Sequence, residues 1–151
     1  MEIIIKRFEE LSVEELYGIL KARVDVFVAE QKCPYPDLDD KDKKAYHIFL
    51  TEENKIKAYL RLLDKGVSFE DVSIGRVLTT ERGKGYSKII IEAAINIAKE
   101  KMNADRIIIE AQSYTQKLYE KFGFRQTSEE FMEDWIPHIQ MTLDFERKNK
   151  K

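Results

Sequence analysis

The segment Arg82-Gly83-Lys84-Gly85-Tyr86-Ser87 lies between a strand-like run and a long amphipathic run. Glycines in such a place suit the binding of an anion. A helix N-terminus exposes unpaired amide N–H groups and the positive end of the backbone macrodipole, and glycines just ahead of it let a phosphate approach those amides. Three of the six glycines, Gly75, Gly83 and Gly85, are bunched here. The helix that follows lacks a Ser, Thr, Asp or Asn cap, so a bound anion would supply the missing acceptor. Glycine is itself an adequate cap, and an ordinary strand-to-helix turn carries the same residues. Two nucleotide motifs fail. Leu78 stands where a P-loop needs its first glycine, and Lys88 stands at the last glycine of a dinucleotide fingerprint begun at Gly83. A pyrophosphate ligand held in another way remains.

Other chemistry is thinner. Asp37-Leu38-Asp39-Asp40-Lys41-Asp42 invites a calcium test, but Asp42 and Ile48 occupy the positions where an EF-hand loop needs Gly and Glu. A solvated acidic loop is the reading that follows. Two histidines and the lone Cys33 are far apart and give no zinc spacing, so no metal is expected. One cysteine allows no internal disulfide, which suits a reducing cytoplasm. Lys and Arg number 26 against 28 Asp and Glu, a net charge of −2 that excludes the basic excess of a nucleic-acid binder. No apolar run is long enough for a membrane span, and the one at 3–5 is too short for a signal peptide. At 151 residues and 43% apolar, the chain reads as a single domain over 1–151 with a packed core.

These residues need positioning elements. Residues 2–8 read as a strand. Ser12 with Glu15 forms a capping box, and Leu11 with Leu16 has the spacing of a hydrophobic staple. The helix they open carries Val13, Leu16, Tyr17, Leu20, Val24 and Phe27 at helical spacing and runs to about Glu30. Cys33-Pro34-Tyr35-Pro36 then stops it. Strands are predicted at 46–51 and 56–63 about a polar turn, and at 72–80 with Gly75 marking a bulge or a close backbone approach. A helix to about Met102 buries Tyr86, Ile90, Ala93, Ala94, Ile97 and Ala98. Ile107-Ile108-Ile109 reads as a strand covered on both faces. Ser113 with Gln116 makes a second capping box before a short helix that Gly123 closes. Residues 124–127 and 136–145 read as two last strands, and the lysine-rich tail from Arg147 as frayed. The order is βα, three strands, αβα and two strands, a mixed α/β (α+β) arrangement on one sheet.

With these elements in order, the chain resembles the GNAT superfamily of acetyl-CoA-dependent N-acetyltransferases. Arg82, Gly85 and, imperfectly, Ser87 match its cofactor motif, Gln/Arg-x-x-Gly-x-Gly/Ala. Leu118-Tyr119-Glu120-Lys121-Phe122-Gly123-Phe124 matches its later motif. Within the superfamily it is similar to the ElaA-like branch. The shared marks are Val26-Phe27-Val28-Ala29-Glu30-Gln31, Cys33-Pro34-Tyr35, Ala111-Gln112, and Glu133-Asp134-Trp135-Ile136-Pro137-His138-Ile139. The resemblance implies the GNAT acyltransferase fold, a central, mostly antiparallel twisted sheet flanked by helices.

It further implies transfer of an acetyl group from acetyl-CoA to a primary amine. Backbone N–H groups of Arg82, Gly83, Lys84, Gly85, Tyr86 and Ser87 would hold the pyrophosphate. Val77, Leu78 and Thr79 would pair with the pantetheine arm, and a backbone N–H there would polarise the thioester carbonyl. Gln112 takes a place where the superfamily often contacts that arm. Tyr119 is implied as the general acid for the departing thiolate; an ordinary half-buried helix tyrosine is its plainer reading. An amine near pKa 10 is uncharged in only about one molecule in two thousand at neutral pH, so deprotonation needs help. Glu110, Glu133 and His138 are candidates, each read more plainly as a surface carboxylate or a satisfied core histidine. Glu129, Glu130, Glu133 and Asp134 would favour a cationic acceptor if they border the cleft. The expected partners are acetyl-CoA and an amine acceptor, with monomer and homodimer both open. The rival reading is a non-catalytic acyl-CoA-binding sensor or interaction domain of the same fold.

Overall fold

The structure, a computed structural model, describes residues 1–32 and 36–146. The expected helix stop at Cys33-Pro34-Tyr35 and the tail from Arg147 lie outside the described residues.

Strand β1 (Glu2–Arg7) leads through a 3-10 turn to α1 (Val13–Arg23). Ser12 Oγ accepts from the Glu15 amide and Glu15 reaches back to the Ser12 amide, so the expected capping box forms. The helix reaches Glu30 as expected, but residues Val24–Glu30 form a π-helical continuation in which the Gln31 amide donates to Val26. Its inner face differs from expectation: Ile19, Ala22 and Arg23 are buried, while Val13 and Tyr17 point to solvent.

A meander follows: β2 (Ala45–Glu52), β3 (Lys55–Leu63) and β4 (Ser73–Thr79), all antiparallel, with β1 on the edge of β2. Side chains alternate between faces. Ile48, Leu50, Leu60 and Leu62 pack towards α2 (Tyr86–Glu100), and Phe49 and Tyr59 pack with Ile19 and Ala22 of α1. Two helices thus cover both faces of this sheet. The α2 stripe is Ile90, Ile91, Ala94, Ile97 and Ala98, close to the sequence reading, with Ile91 in place of Ala93 at the buried centre.

Beyond α2 come β5 (Arg106–Gln112), the short α3 (Gln116–Glu120), β6 (Arg125–Gln126), β7 (Phe131–Glu133) and β8 (Ile136–Asp144). Strand β8 pairs with β5, β6 and β7, making a second four-stranded sheet. The sequence showed no sign of β7. The single sheet expected from element order is therefore divided. Among the described residues the one backbone bridge joining the two sheets is parallel, between Val72, just ahead of β4, and Ile107 of β5; the Ile108 amide donates to the Val72 carbonyl at 3.0 Å, and no ladder pairing continues from there as β4 and β5 diverge. The second capping box does not form: α3 starts at Gln116 with Thr115 as its N-cap, Ser113 lies in a 3-10 turn ahead of it, and Ser113 Oγ donates to Glu130 at 2.8 Å. Gly123 closes α3 as expected, at φ +99. Among the described residues no helix is long and apolar enough to cross a membrane.

Candidate active site

The divergence of β4 from β5 opens a cleft of about 660 Å³ at the C-terminal ends of both strands. The strand β4 is bulged there. Between Tyr59 and Arg61 on β3 the partner changes from Leu78 to Gly75, so β4 carries one extra residue. The sequence placed this irregularity at Gly75, but the left-handed residue is Arg76, at φ 53. A Cβ on Gly75 would make only ordinary contact with Arg61 Nε at 3.9 Å, so the bulge, and not close approach, explains the irregularity. The π segment lends Val26, Val28 and Glu30 to the cleft wall, and Gln31 at its C-terminal end joins them. Gln112 Nε2 donates to Gln31 at 3.3 Å, linking that segment to β5.

Of the eleven residues expected to bind the cofactor or to act as the general acid, seven line this space: Val77, Leu78, Thr79, Arg82, Ser87, Gln112 and Tyr119. Gly83, Lys84, Gly85 and Tyr86 lie beside it without lining it. Gly85 is the N-cap of α2, left-handed at φ 76, and no side chain caps the helix. A side chain added at Gly83 or Gly85 would meet no protein atom within 4 Å. What demands glycine there is the positive φ, and the surrounding space stays clear for a ligand. Arg82 is solvated and makes only a loose ion pair with Glu30 at 3.3 Å.

Tyr119 stands inside the cleft at 6% exposure, its ring edge-on to Phe124 at 5.6 Å. Burial, then repulsion by Tyr114, pushes its hydroxyl above the ordinary tyrosine range. The group stays protonated at neutral pH.

The opposite wall gathers Glu110, Glu133 and His138, which the sequence left as separate candidates. His138 faces Gln112 across the β5–β8 pair and Phe131 across the β7–β8 pair, stacking on Phe131 at 6.1 Å. Its Nδ1 donates to the Ile136 carbonyl at 2.7 Å and its Nε2 lies 3.6 Å from Glu133. Glu110 is raised from the usual carboxylate range, first by partial desolvation at the cleft wall and then by Glu133, against the pull of His138 and Lys41. Of the four late carboxylates, Glu133 and Asp134 line the cleft, whereas Glu130 is engaged by Ser113.

The acidic stretch at 37–42 is corrected. Instead of a solvated loop, it supplies Asp37, Asp39 and Asp42 to a network with three arginines at the base of the cleft. Asp42 accepts from Arg23 and Arg61, Asp39 from Arg61 at 2.6 Å, and Asp37 from Arg23 at 2.9 Å. Arg76 Nε approaches Asp37 to 2.8 Å as a charge pair, without the alignment of a hydrogen bond. Burial would raise the pKa of Asp39 and Asp42, but the arginine hydrogen bonds and charges outweigh it and hold both below the usual range. Each arginine comes from a different element, so local sequence carried no sign of the network. Among the described residues no group of three or more His, Cys, Asp or Glu side chains is placed to hold a metal ion.

Residues 11–145 match the family model of the acetyltransferase (GNAT) domain. The chain belongs to the GNAT family. Within that family it is 36% identical to the ElaA protein of Escherichia coli, over 89% of this chain and 91% of that relative. A UPF0039 protein of Schizosaccharomyces pombe is 38% identical over 95% of this chain and 97% of its own length. The crystal structure of E. coli ElaA superposes with a TM-score of 0.89 at 33% identity, covering 95% of this chain and 99% of that one. An acyl-CoA N-acyltransferase from Pseudomonas aeruginosa superposes at 0.87, also with 33% identity and the same coverage. The bulged β4, splayed β5 and uncapped α2 are therefore the cleft of a GNAT protein, a fold that implies binding of an acyl-CoA and an acceptor.

Proposed function

We propose that this GNAT protein is an N-acetyltransferase that moves the acetyl group of acetyl-CoA directly to a primary amine. One observation carries the reading: a strand edge opened by the β4–β5 divergence runs from an uncapped helix N-terminus to a buried tyrosine. The backbone from Arg82 to Ser87 binds the pyrophosphate, because the first amides of α2 need an acceptor. Ser87 stands in place of the family's Gly or Ala, and its hydroxyl is small enough to leave the approach open. The edge of Val77, Leu78 and Thr79 takes the extended pantetheine arm as an added strand, with Gln112 facing it. A backbone N–H near the bulge polarises the thioester carbonyl.

Attack by the amine nitrogen forms the C–N bond as the C–S bond breaks, and the electron pair leaves on sulfur. Tyr119 donates its proton to that sulfur. Its raised pKa makes a free tyrosinate costly, so donation is coupled to return of a proton from the new amide nitrogen. Glu110, Glu133 and Asp134 give the acceptor side a negative field that suits a cationic amine. One cysteine in 151 residues fits a cytoplasmic setting.

The test is release of free thiol from acetyl-CoA in the presence of a broad panel of primary amines, at low and high salt. Acceptor-dependent release, with KM rising with salt, is expected. Acetyl-CoA binding without acceptor-dependent release would make the protein an acyl-CoA-binding sensor, and absence of binding would sink both readings.

A further inference from the structure

We infer that His138, oriented by the Ile136 carbonyl and backed by Glu133, is the base that takes the proton from the acceptor's ammonium group. This inference rests on the transferase reading above.

A carbonyl oxygen can only accept, so the 2.7 Å contact between His138 Nδ1 and Ile136 O places a proton on Nδ1. In the neutral ring the lone pair is then on Nε2. That atom lies 3.6 Å from the Glu133 carboxylate, which stabilises the imidazolium formed when Nε2 takes a proton. The ring is 8% exposed, with one face against Phe131 and its register partner Gln112 beside it, so it cannot turn freely. It nonetheless lines the cleft. A tautomer fixed by the Ile136 carbonyl, a carboxylate beside the basic Nε2 and a place in the cleft wall make the arrangement of a general base.

The charged groups around His138 divide the work. Glu110 from β5, with Glu133 and Asp134 from β7 and its turn, draws the ammonium in. Lys41 enters from the turn before β2; its Nζ donates to Ser68 at 2.8 Å, and its charge also bears on Glu110. The step balances in protons. The ammonium gives one to Nε2, the neutral amine attacks the thioester carbon, and the second proton leaving nitrogen replaces the one that Tyr119 gives to sulfur. The imidazolium then loses its proton to solvent.

The experiment measures kcat/KM for a primary amine of the panel against pH in the wild type, His138→Gln and Glu133→Gln, with acetyl-CoA affinity alongside. The His138→Gln variant is expected to lose about 10²-fold at neutral pH. The deficit should shrink as pH nears the amine's own pKa, where solvent deprotonates the acceptor, and acetyl-CoA affinity should not change. The carboxylate of Glu133 is solvent-reached, so Glu133→Gln should fold normally. Without that anion beside Nε2 the imidazolium loses its partner, so kcat/KM at neutral pH should fall several-fold with acetyl-CoA affinity unchanged. A wild-type profile in His138→Gln, or an equal loss at every pH, overturns the inference, and so does a Glu133→Gln variant as active as wild type. Should wild-type protein bind acetyl-CoA and acetylate amines while both variants match it, only the role of His138 falls. Should the wild type bind no acetyl-CoA, the transferase reading falls first and takes this inference with it.

Discussion

Arg23 Nη1 donates to Asp42 at 2.7 Å, tying the end of α1 to the turn that enters β2. The arginine side chain is fully buried, and Asp42 also serves Arg61 of β3 at 3.0 Å. One carboxylate thus joins three segments beneath the cleft. Replacing it as Asp42→Asn would leave two buried guanidinium groups short of an anion, a loss on the order of 3 kcal/mol. For a chain of this length that lowers Tm by roughly 6–12 °C. Calorimetry checks this, and a Tm within a degree or two of wild type would show that the network adds little.

Acid should unfold the protein in two stages. Burial, helped by the charges of Arg23 and Arg61, lowers the pKa of His47, which sits between Tyr59 and the Asp42 carbonyl. The unfolded chain then binds a proton that the folded chain refuses, so stability begins to fall below about pH 6.5. Asp39 and Asp42 hold their protons less tightly when folded, so their contribution is whole above about pH 4 and falls as the pH drops through the lower folded values. Denaturant midpoints between pH 8 and pH 3 measure both; a flat profile down to pH 5 would contradict the first stage.

Gly123→Ala should destabilise by about 1–2 kcal/mol, the usual cost of a side chain in the left-handed region. The new Cβ would also press on Leu143 at 3.1 Å. Because this glycine closes the helix that carries Tyr119, turnover should fall along with Tm.

Gly85→Ala strains the N-cap of α2, at φ 76, while touching no protein atom. Acetyl-CoA affinity should weaken several-fold, with kcat at saturation little changed. Titration calorimetry decides; equal affinity would remove the helix N-terminus from the proposed pyrophosphate site.

Tyr119→Phe deletes one hydroxyl from a well-packed ring. Turnover is expected to drop about 10²-fold with acetyl-CoA affinity intact. Unchanged turnover would reduce Tyr119 to a packing residue.

Local patterns made much of the molecule legible before its fold was known. The Ser12–Glu15 box, the α2 stripe, the glycine-rich turn and the closure at Gly123 depend on neighbours within a few residues, so their sequence is enough. Misreadings came where a distant group competed. Ser113 entered a 3-10 turn ahead of α3, with its hydroxyl turned to the distant Glu130, and arginines from three elements collected the aspartates of an apparent solvent loop.

The sequence by itself determined where the glycine-rich turn would fall and that a helix would start uncapped behind two glycines, because capping and turn preferences are local energies. Only the tertiary structure decided that β4 and β5 separate after Val72. It also decided that Arg76 takes the left-handed bulge, and that His138 meets Glu133 with its Nδ1 proton fixed. Strand divergence and side-chain register arise from pairing across long stretches of chain. They become defined only when the two sheets pack around α2.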